Sequence, residues 1–361
     1  MKKLITVLAA TFLWLMMPQA TAANTVIRIT APVNQTFAGE FRNDDLAQLL
    51  TPSGDLGLKV FQPVAKNRTW VIDAALVDEV ILMSNEYVLA TDAEPAGKEI
   101  AIAWLTQLKR VTAGNEVVAL AYGNPDIALA KRLAPSELKS YFVYGQDRLQ
   151  LALGRIVRSE PKVQWSVGKS GLSNPLRKSY SDNRKALTRL SRVVDTPELI
   201  HLRARLGQLL SPNLDKDSRE FFSYNATAAV KEIVGKLRIN SGKYQITTSS
   251  VKLPVTVINE FDVDITVDIA MVPINSRISV ESFDNVVIPA QSKTQLEMQV
   301  DVIAPGLTTV SAIITGPEDD TEVVPEAVFT LNSTVIDSRV TWFTTGAAIL
   351  LLLAAVAQSV R

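Results

Sequence analysis

From Gly242 to Ser338 apolar and polar residues alternate with a period of two, and no helical spacing interrupts them. VKLPVTVIN, DVDITVDIAMV, RISVESF, QLEMQVDVIA and LTTVSAIIT all follow this pattern. In one of them Val263, Ile265, Val267 and Ile269 form a wholly apolar face, while Asp262, Asp264, Thr266 and Asp268 point the other way. Strands with one apolar face must pair their faces to leave water. About six or seven of them, joined by turns, predict an Ig-like β-sandwich of about 95 residues over 242–338. The chain has no cysteine, so this module must hold together through its core alone. The same absence excludes thiolate metal sites, iron–sulfur clusters and Cys nucleophiles.

The remaining sequence has a different texture. Over 23–168 short apolar runs alternate with amphipathic stretches. Strands are expected at Val26–Ile29, Trp70–Ile72, Val117–Ala121, Tyr141–Tyr144 and Val163–Val167, and helices at Asp44–Leu50, Ala75–Met83, Glu99–Arg110 and Asp126–Leu133. That rhythm predicts an α/β domain with a mostly parallel sheet. Residues 169–241 favour helices, at Asn183–Val194, Pro197–Leu210 and Ala226–Leu237, with a break at Asp195-Thr196-Pro197. The fold class expected is therefore multidomain α/β plus all-β, with a helical middle.

Charge follows the same division. The 37 Lys+Arg and 37 Asp+Glu balance overall. Between Arg155 and Arg205, however, twelve basic residues face four acids, whereas fourteen acids face four bases over 242–338. The basic middle could meet an acidic polymer, acidic headgroups or the acidic module itself, although solvated helix faces are the simplest reading.

Both ends are apolar. MKKLITVLAATFLWLMMPQATA has two lysines, an uncharged run and a small-residue Ala20-Thr21-Ala22 site, the pattern of a secretory leader over 1–22. Val340–Val360 is uncharged and would rise about 31 Å as a helix, matching a hydrocarbon core of roughly 30 Å. Trp342 and Phe343 stand where interfacial aromatics belong. These features predict a single-pass cell-membrane protein, body outside and C-terminus cytoplasmic, with a transmembrane helix over 340–360. An exported body argues against nucleic acid as a partner.

No complete catalytic set is apparent. The single His, His201, excludes metal sites built on two imidazoles, and it reads as a structural residue of a helix. No metal or cofactor is expected. Asp73 ends one expected strand, and Tyr122, Asn124 and Asp126 follow another. In parallel α/β folds such positions share the ligand-binding rim. These four are the candidate ligand-binding residues. Asp73 and Asp126 could instead be a carboxylate pair for metal-independent glycoside hydrolysis, or plain helix caps.

FRNDDLAQLL, TWVIDAALVDEV, AWLTQLKRVTAGNEVVALAYGNPDIALA and KLPVTVINEFDVDITVDI are similar to a family of actinobacterial envelope proteins of unknown function. The resemblance implies a signal peptide, an α/β front, an Ig-like rear, a terminal membrane helix and genes beside the lipid II flippase. Ala74, Ala121 and Asn124 depart from that family's "VDPAL" and "LPYADPD" patterns, and the last change removes a carboxylate from the rim. The α/β front also resembles polysaccharide deacetylases in its strand-then-Asp rhythm, but one His cannot supply their Asp/His/His metal set. The expected function is a membrane-anchored, non-enzymatic binding or scaffold component of cell-wall assembly. Its expected partner is a wall glycan or an envelope protein.

Overall fold

The structure, a computed structural model, describes residues 25–62, 68–91, 93–159, 168–317, 319–334 and 338–359. The leader expected over 1–22 and the strand expected over Val163–Val167 lie outside the described residues.

The front of the chain is built on a four-stranded sheet of β1 (Thr25–Ile29), β2 (Arg68–Ile72), β3 (Glu116–Ala119) and β4 (Arg158–Ser159), adjacent in that order and all parallel. Each crossover carries two helices: α1 (Asp45–Leu50) and α2 (Asp55–Phe61), then α3 (Ala74–Met83) and α4 (Lys98–Thr112), then α5 (Ile127–Leu133) and α6 (Pro135–Leu153). Trp70, Val71 and Ile72 of β2 are fully buried, as befits a central strand covered on both faces. Trp104 of α4 fills the same core, and its indole N–H donates to the Leu56 carbonyl at 3.2 Å.

The strand expected at Tyr141–Tyr144 is helix instead, in the interior of α6. Aromatic and β-branched residues favour strands only where a pleated neighbour receives them. Here Pro135 opens a helix, Gly154 ends it in the left-handed region (φ 65°), and Leu138, Tyr141, Phe142, Gly145, Leu149 and Ala152 recur on its buried face. Gly145 is the close-approach point. A Cβ there would lie 2.5 Å from the Leu120 carbonyl oxygen. The Tyr122 N–H donates to the Tyr141 carbonyl at 2.9 Å, so α6 docks on the end of β3 through backbone.

The helical middle holds α7 (Asn174–Leu190), α8 (Pro197–Arg205) with a 3-10 turn at Leu206–Leu210, and α9 (Lys216–Gly235). The break before α8 is where the sequence places it: Thr196 caps the helix and Pro197 occupies its first turn. α9 runs into β5 (Leu237–Ile239) without a linker, and one apolar core continues from Leu187 and Phe222 through Leu237 to Val257 and Phe329.

The β-module adds β6 (Lys243–Ile246), β7 (Ser250–Asn259), β8 (Ile265–Pro273), β9 (Ile278–Val280), β10 (Phe283–Ile288), β11 (Ser292–Val302), β12 (Gly306–Gly316), β13 (Asp319–Glu322) and β14 (Ala327–Ser333). One sheet is ordered β5-β7-β11-β9 and the other β10-β8-β12-β14-β6, with β13 on β12. All pairs are antiparallel except β14–β6. Ile265, Val267, Ile269 and Met271 are buried in the common core, which is the alternation seen in the sequence. Asn259 and Ser292 mark the pole beside α9, where the Glu260 N–H reaches the Lys236 carbonyl. Ser250, Pro273, Val302, Gly306 and Ser333 mark the opposite pole.

The last helix, α10, spans Ser338–Ser359. Its described side chains include Ile349–Leu353 and Val356, all exposed. The run of described side chains, 345–356, rises only about 18 Å, and among the described residues no helix is long and apolar enough to cross a membrane. The span expected over Val340–Val360 extends beyond those side chains.

Candidate functional site

The chain turns sharply where β2 and β3 end, and the four candidate residues sit in those turns. Asp73 follows Ile72 and caps α3. Its Oδ1 accepts from the Ala75 N–H at 3.0 Å and from the Gly123 N–H at 2.9 Å. One carboxylate thus ties the turn after β2 to the turn after β3. Gly123 (φ 79°) is forced by both backbone and space, since a Cβ there would lie 2.6 Å from Gln208 Cγ. Asn124 also adopts a left-handed φ of 46°, which Asn tolerates better than most residues, and its N–H closes on the Ala121 carbonyl. Asp126 caps α5, with one oxygen on the Leu129 N–H and the other on the Ser170 N–H.

Asp73 and Asp126 are therefore committed to backbone donors. Asp73 is only 3% exposed. A glycosidase pair needs both carboxyls open to one glycosidic bond, and this geometry lends that arrangement no support. Tyr122 points inward, its hydroxyl donating to Asp78 at 3.0 Å.

That hydroxyl leads to a pocket of about 370 Å³ between α3, α6 and α8, lined among others by Asp78, Glu79, Tyr122, Tyr144, Arg148 and His201. Arg148 grips Asp78 through two N–H groups, Nε to Oδ2 at 2.9 Å and Nη2 to Oδ1 at 2.9 Å, a fork-to-carboxylate pairing. The Tyr144 hydroxyl meets His201 Nδ1 at 2.8 Å. The Tyr122 and Tyr144 rings pack edge to face at 5.0 Å, with the His201 ring 6.2 Å from Tyr122. Burial, followed by Arg205 and Arg148, holds His201 down to about 4, so the imidazole is neutral at pH 7. When Tyr144 donates to Nδ1, Nε2 carries the ring proton.

Deeper in, Glu79 accepts from the Asn34 N–H at 3.1 Å, and Gln208 Nε2 lies 3.4 Å from its other oxygen. Arg205 is buried among backbone carbonyls, donating to Gln35 O at 2.8 Å and Thr36 O at 3.1 Å, with its guanidinium 4.6 Å above the Phe37 ring. Burial pushes both Asp73 and Glu79 up to about 7. The convergent parts are aromatic edges, a neutral imidazole and a clamped guanidinium, which suit recognition of a polar ligand. A larger depression of about 580 Å³ lies across Tyr144, lined among others by Glu137 and Arg203, which pair at 2.8 Å.

The sequence pointed to the rim but not to Asp78, Glu79, Tyr144, Arg148 or Arg205. One available signal was Asp78-Glu79 inside the otherwise apolar AALVDEVIL. Another was the spacing of Tyr144 and Arg148, one helical turn apart once Tyr141–Tyr144 is read as helix. The basic run also proves divided: Arg205 is buried, Arg203 and Arg158 pair with Glu137 and Glu116, and Arg155 holds the Thr112 and Asn115 carbonyls.

A family of unknown function (DUF6049) matches residues 167–358, which include the helical middle, the β-module and α10. The KLPVTVINEFDVDITVDI stretch falls inside that match, and the three front stretches fall outside it. No curated protein matches the chain. Among solved structures, the chain is similar to WR4, an MSP family member of C. elegans, at 14% identity and a TM-score of 0.21 over 27% of this chain and 98% of that one. It is similar to a PapD-like domain of human CEP192 at 6% identity and a TM-score of 0.23, over 28% of this chain and 87% of that one. The secreted serine protease VesC from Vibrio cholerae is matched at 15% identity and a TM-score of 0.22, over 27% of this chain and 23% of the protease. At such scores these likenesses carry no argument about function.

Proposed function

The chain belongs to the DUF6049 family of unknown function, and because that description names no activity, we propose from the geometry that it is a membrane-tethered, non-enzymatic binding protein of the cell envelope. Its pocket between α3, α6 and α8 receives a sugar unit of a wall glycan. The observation that carries this reading is the pocket of about 370 Å³, within the range of small-ligand sites, where Tyr122, Tyr144, His201 and Arg148 converge. The carboxylates that could have supplied hydrolysis are occupied as helix caps. The tether is the helix Ser338–Ser359, whose described aliphatic side chains have no core to enter. A backbone of 22 helical residues rises about 33 Å, comparable to a hydrocarbon core of roughly 30 Å.

Co-sedimentation of the detergent-solubilised full chain with isolated wall sacculi tests the site, with soluble sugar assayed in parallel. Tyr144→Ala and Arg148→Gln each remove a lining group while leaving Asp73 and Asp126 in their caps. Retention reduced about tenfold in both variants, with no sugar released, is the expected result. Retention equal to wild type in both overturns the site, and released sugar overturns the non-enzymatic reading.

A further inference from the structure

The pole of the β-module from which the chain leaves toward α10 carries three large aliphatic side chains in water. Ile274 is 77% exposed, Ile303 68% and Leu307 65%. Ile274 lies in the loop after β8, Ile303 in the turn between β11 and β12, and Leu307 at the start of β12. Leu307 pairs with Asn332, and Gly306 with Ser333, the last residue of β14.

These side chains are held on a stiffened surface. The Ile303 and Ala304 N–H groups both donate to the Arg277 carbonyl, at 2.8 and 3.0 Å, and Arg277 Nη1 donates back to the Pro305 carbonyl at 2.6 Å. Asn275 Oδ1 accepts from the Arg277 N–H at 3.1 Å and from the Thr308 hydroxyl at 3.0 Å. The two loops are therefore zipped to each other, and the exposed aliphatics are presented at little conformational cost.

The charge is arranged in the same sense. The β-module is acidic, yet Pro273-Ile274-Asn275-Ser276-Arg277-Ile278, Val302-Ile303-Ala304-Pro305-Gly306-Leu307 and the Thr247-Thr248-Ser249 turn contain no acid, and Arg277 is their one charge. Asp301, on β11, is the nearest acid along the chain. An acid-free apolar tip on an acidic body suits an anionic lipid surface and would repel few headgroups.

Distance supplies the occupant. Four residues, 334–337, lie between Ser333 and Ser338, the first residue of α10, and the five Cα-to-Cα steps reach at most about 18 Å. If α10 is embedded, this pole is the part of the β-module that the connection holds near the bilayer. We infer that Ile274, Ile303 and Leu307, with Arg277 beside them, form an interfacial patch that dips into the lipid headgroup layer and seats the β-module on the membrane. The inference rests on the tether proposed above, and extends it from one helix to a two-part attachment that fixes how the body stands.

The absence of cysteine makes single-site labelling direct. Full-length Ile303→Cys, Leu307→Cys, Val287→Cys and Leu351→Cys variants are labelled with an environment-sensitive fluorophore and reconstituted into phosphatidylcholine/phosphatidylglycerol vesicles carrying a lipid-borne quencher. Val287 is exposed and pairs with Thr266, toward the far pole. The expected result is at least twofold stronger quenching at 303 and 307 than at 287, together with strong quenching at 351. Water-like signals at 303 and 307 with strong quenching at 351 overturn the patch and leave the tether standing. A water-like signal at 351 overturns the tether, and the patch with it.

Discussion

Gly145→Ala is the sharpest test of how the pocket is built. Alanine is the better helix former, so in an unobstructed helix interior this change would stabilise by about 1 kcal/mol. Here the new Cβ would stand 2.5 Å from the Leu120 carbonyl oxygen and 3.0 Å from the Tyr122 nitrogen, both backbone atoms that cannot swing away. Reaching ordinary contact at 3.4 Å requires α6 to back off by about 0.9 Å. Overpacking of this kind costs about 2 kcal/mol. Stretching the 2.9 Å bond from Tyr122 N–H to Tyr141 O removes about 1 kcal/mol more. The balance is a loss of about 2 kcal/mol, which corresponds to roughly thirtyfold faster amide exchange in peptides covering β3 and α6. Because Tyr144 and Arg148 ride on the same helix, retention on sacculi should fall with it. Gly235→Ala, at the end of α9 with nothing within 4 Å, is the control and should gain about 0.5 kcal/mol. Exchange in Gly145→Ala equal to or slower than wild type would refute the close-approach argument.

Asp78→Ala removes the acceptor of both Arg148 and Tyr122 and should destabilise the front domain by about 3 kcal/mol, read as a lower urea midpoint. Asn259→Ala should cost the β-module about 2–3 kcal/mol by the same measurement. That fully buried amide donates to the Val263, Ile288 and Pro289 carbonyls and accepts from the Phe261 N–H. Glu79 titrates near 7 when folded against 4.5 in an open chain. The folded state keeps a proton the unfolded state has lost between those values, so stability falls as pH rises through that window. Glu79→Gln should therefore gain on wild type from about pH 5 to pH 8. His201 acts in the opposite sense, because its value drops from 6.5 to about 4 on folding. The unfolded state binds the extra proton there, stability rises with pH between about 4 and 6.5, and His201→Gln should gain on wild type as pH falls through that range. Urea midpoints that run parallel to wild type across pH would count against either burial.

The legibility of these features followed how much of each was decided locally. The alternation in β8 could be read because one face is buried against a facing sheet, which makes the sequence periodic. Asp73 and Asp126 could be read as caps because capping is a contact within three residues. Tyr141–Tyr144 could not. Its strand-like composition is overruled by Gly145, whose role appears only when the end of β3 lies against it. The pocket was hidden for the same reason. Asp78 on α3, Arg148 on α6 and His201 on α8 are distant in sequence, and only the parallel sheet and the packed middle bring them together. The basic run misled by its density, since Arg205 leaves solvent altogether to hold the carbonyls of Gln35 and Thr36.

The parallel pairing of β6 with β14 bears on how the molecule would take tension. β6 follows β5, the first strand after the helical middle, and β14 leaves the module toward α10, with Lys243 opposite Thr330 and Ile246 opposite Ser333. If α10 is fixed and the front domain is drawn away from it, tension that passes β5 pulls the two strands from opposite ends along their own length. The hydrogen bonds between them then lie across the pull and are loaded together, so the joint resists in shear and cannot be unzipped one bond at a time. Tension between the front domain and α10 would then be shared across this row of bonds.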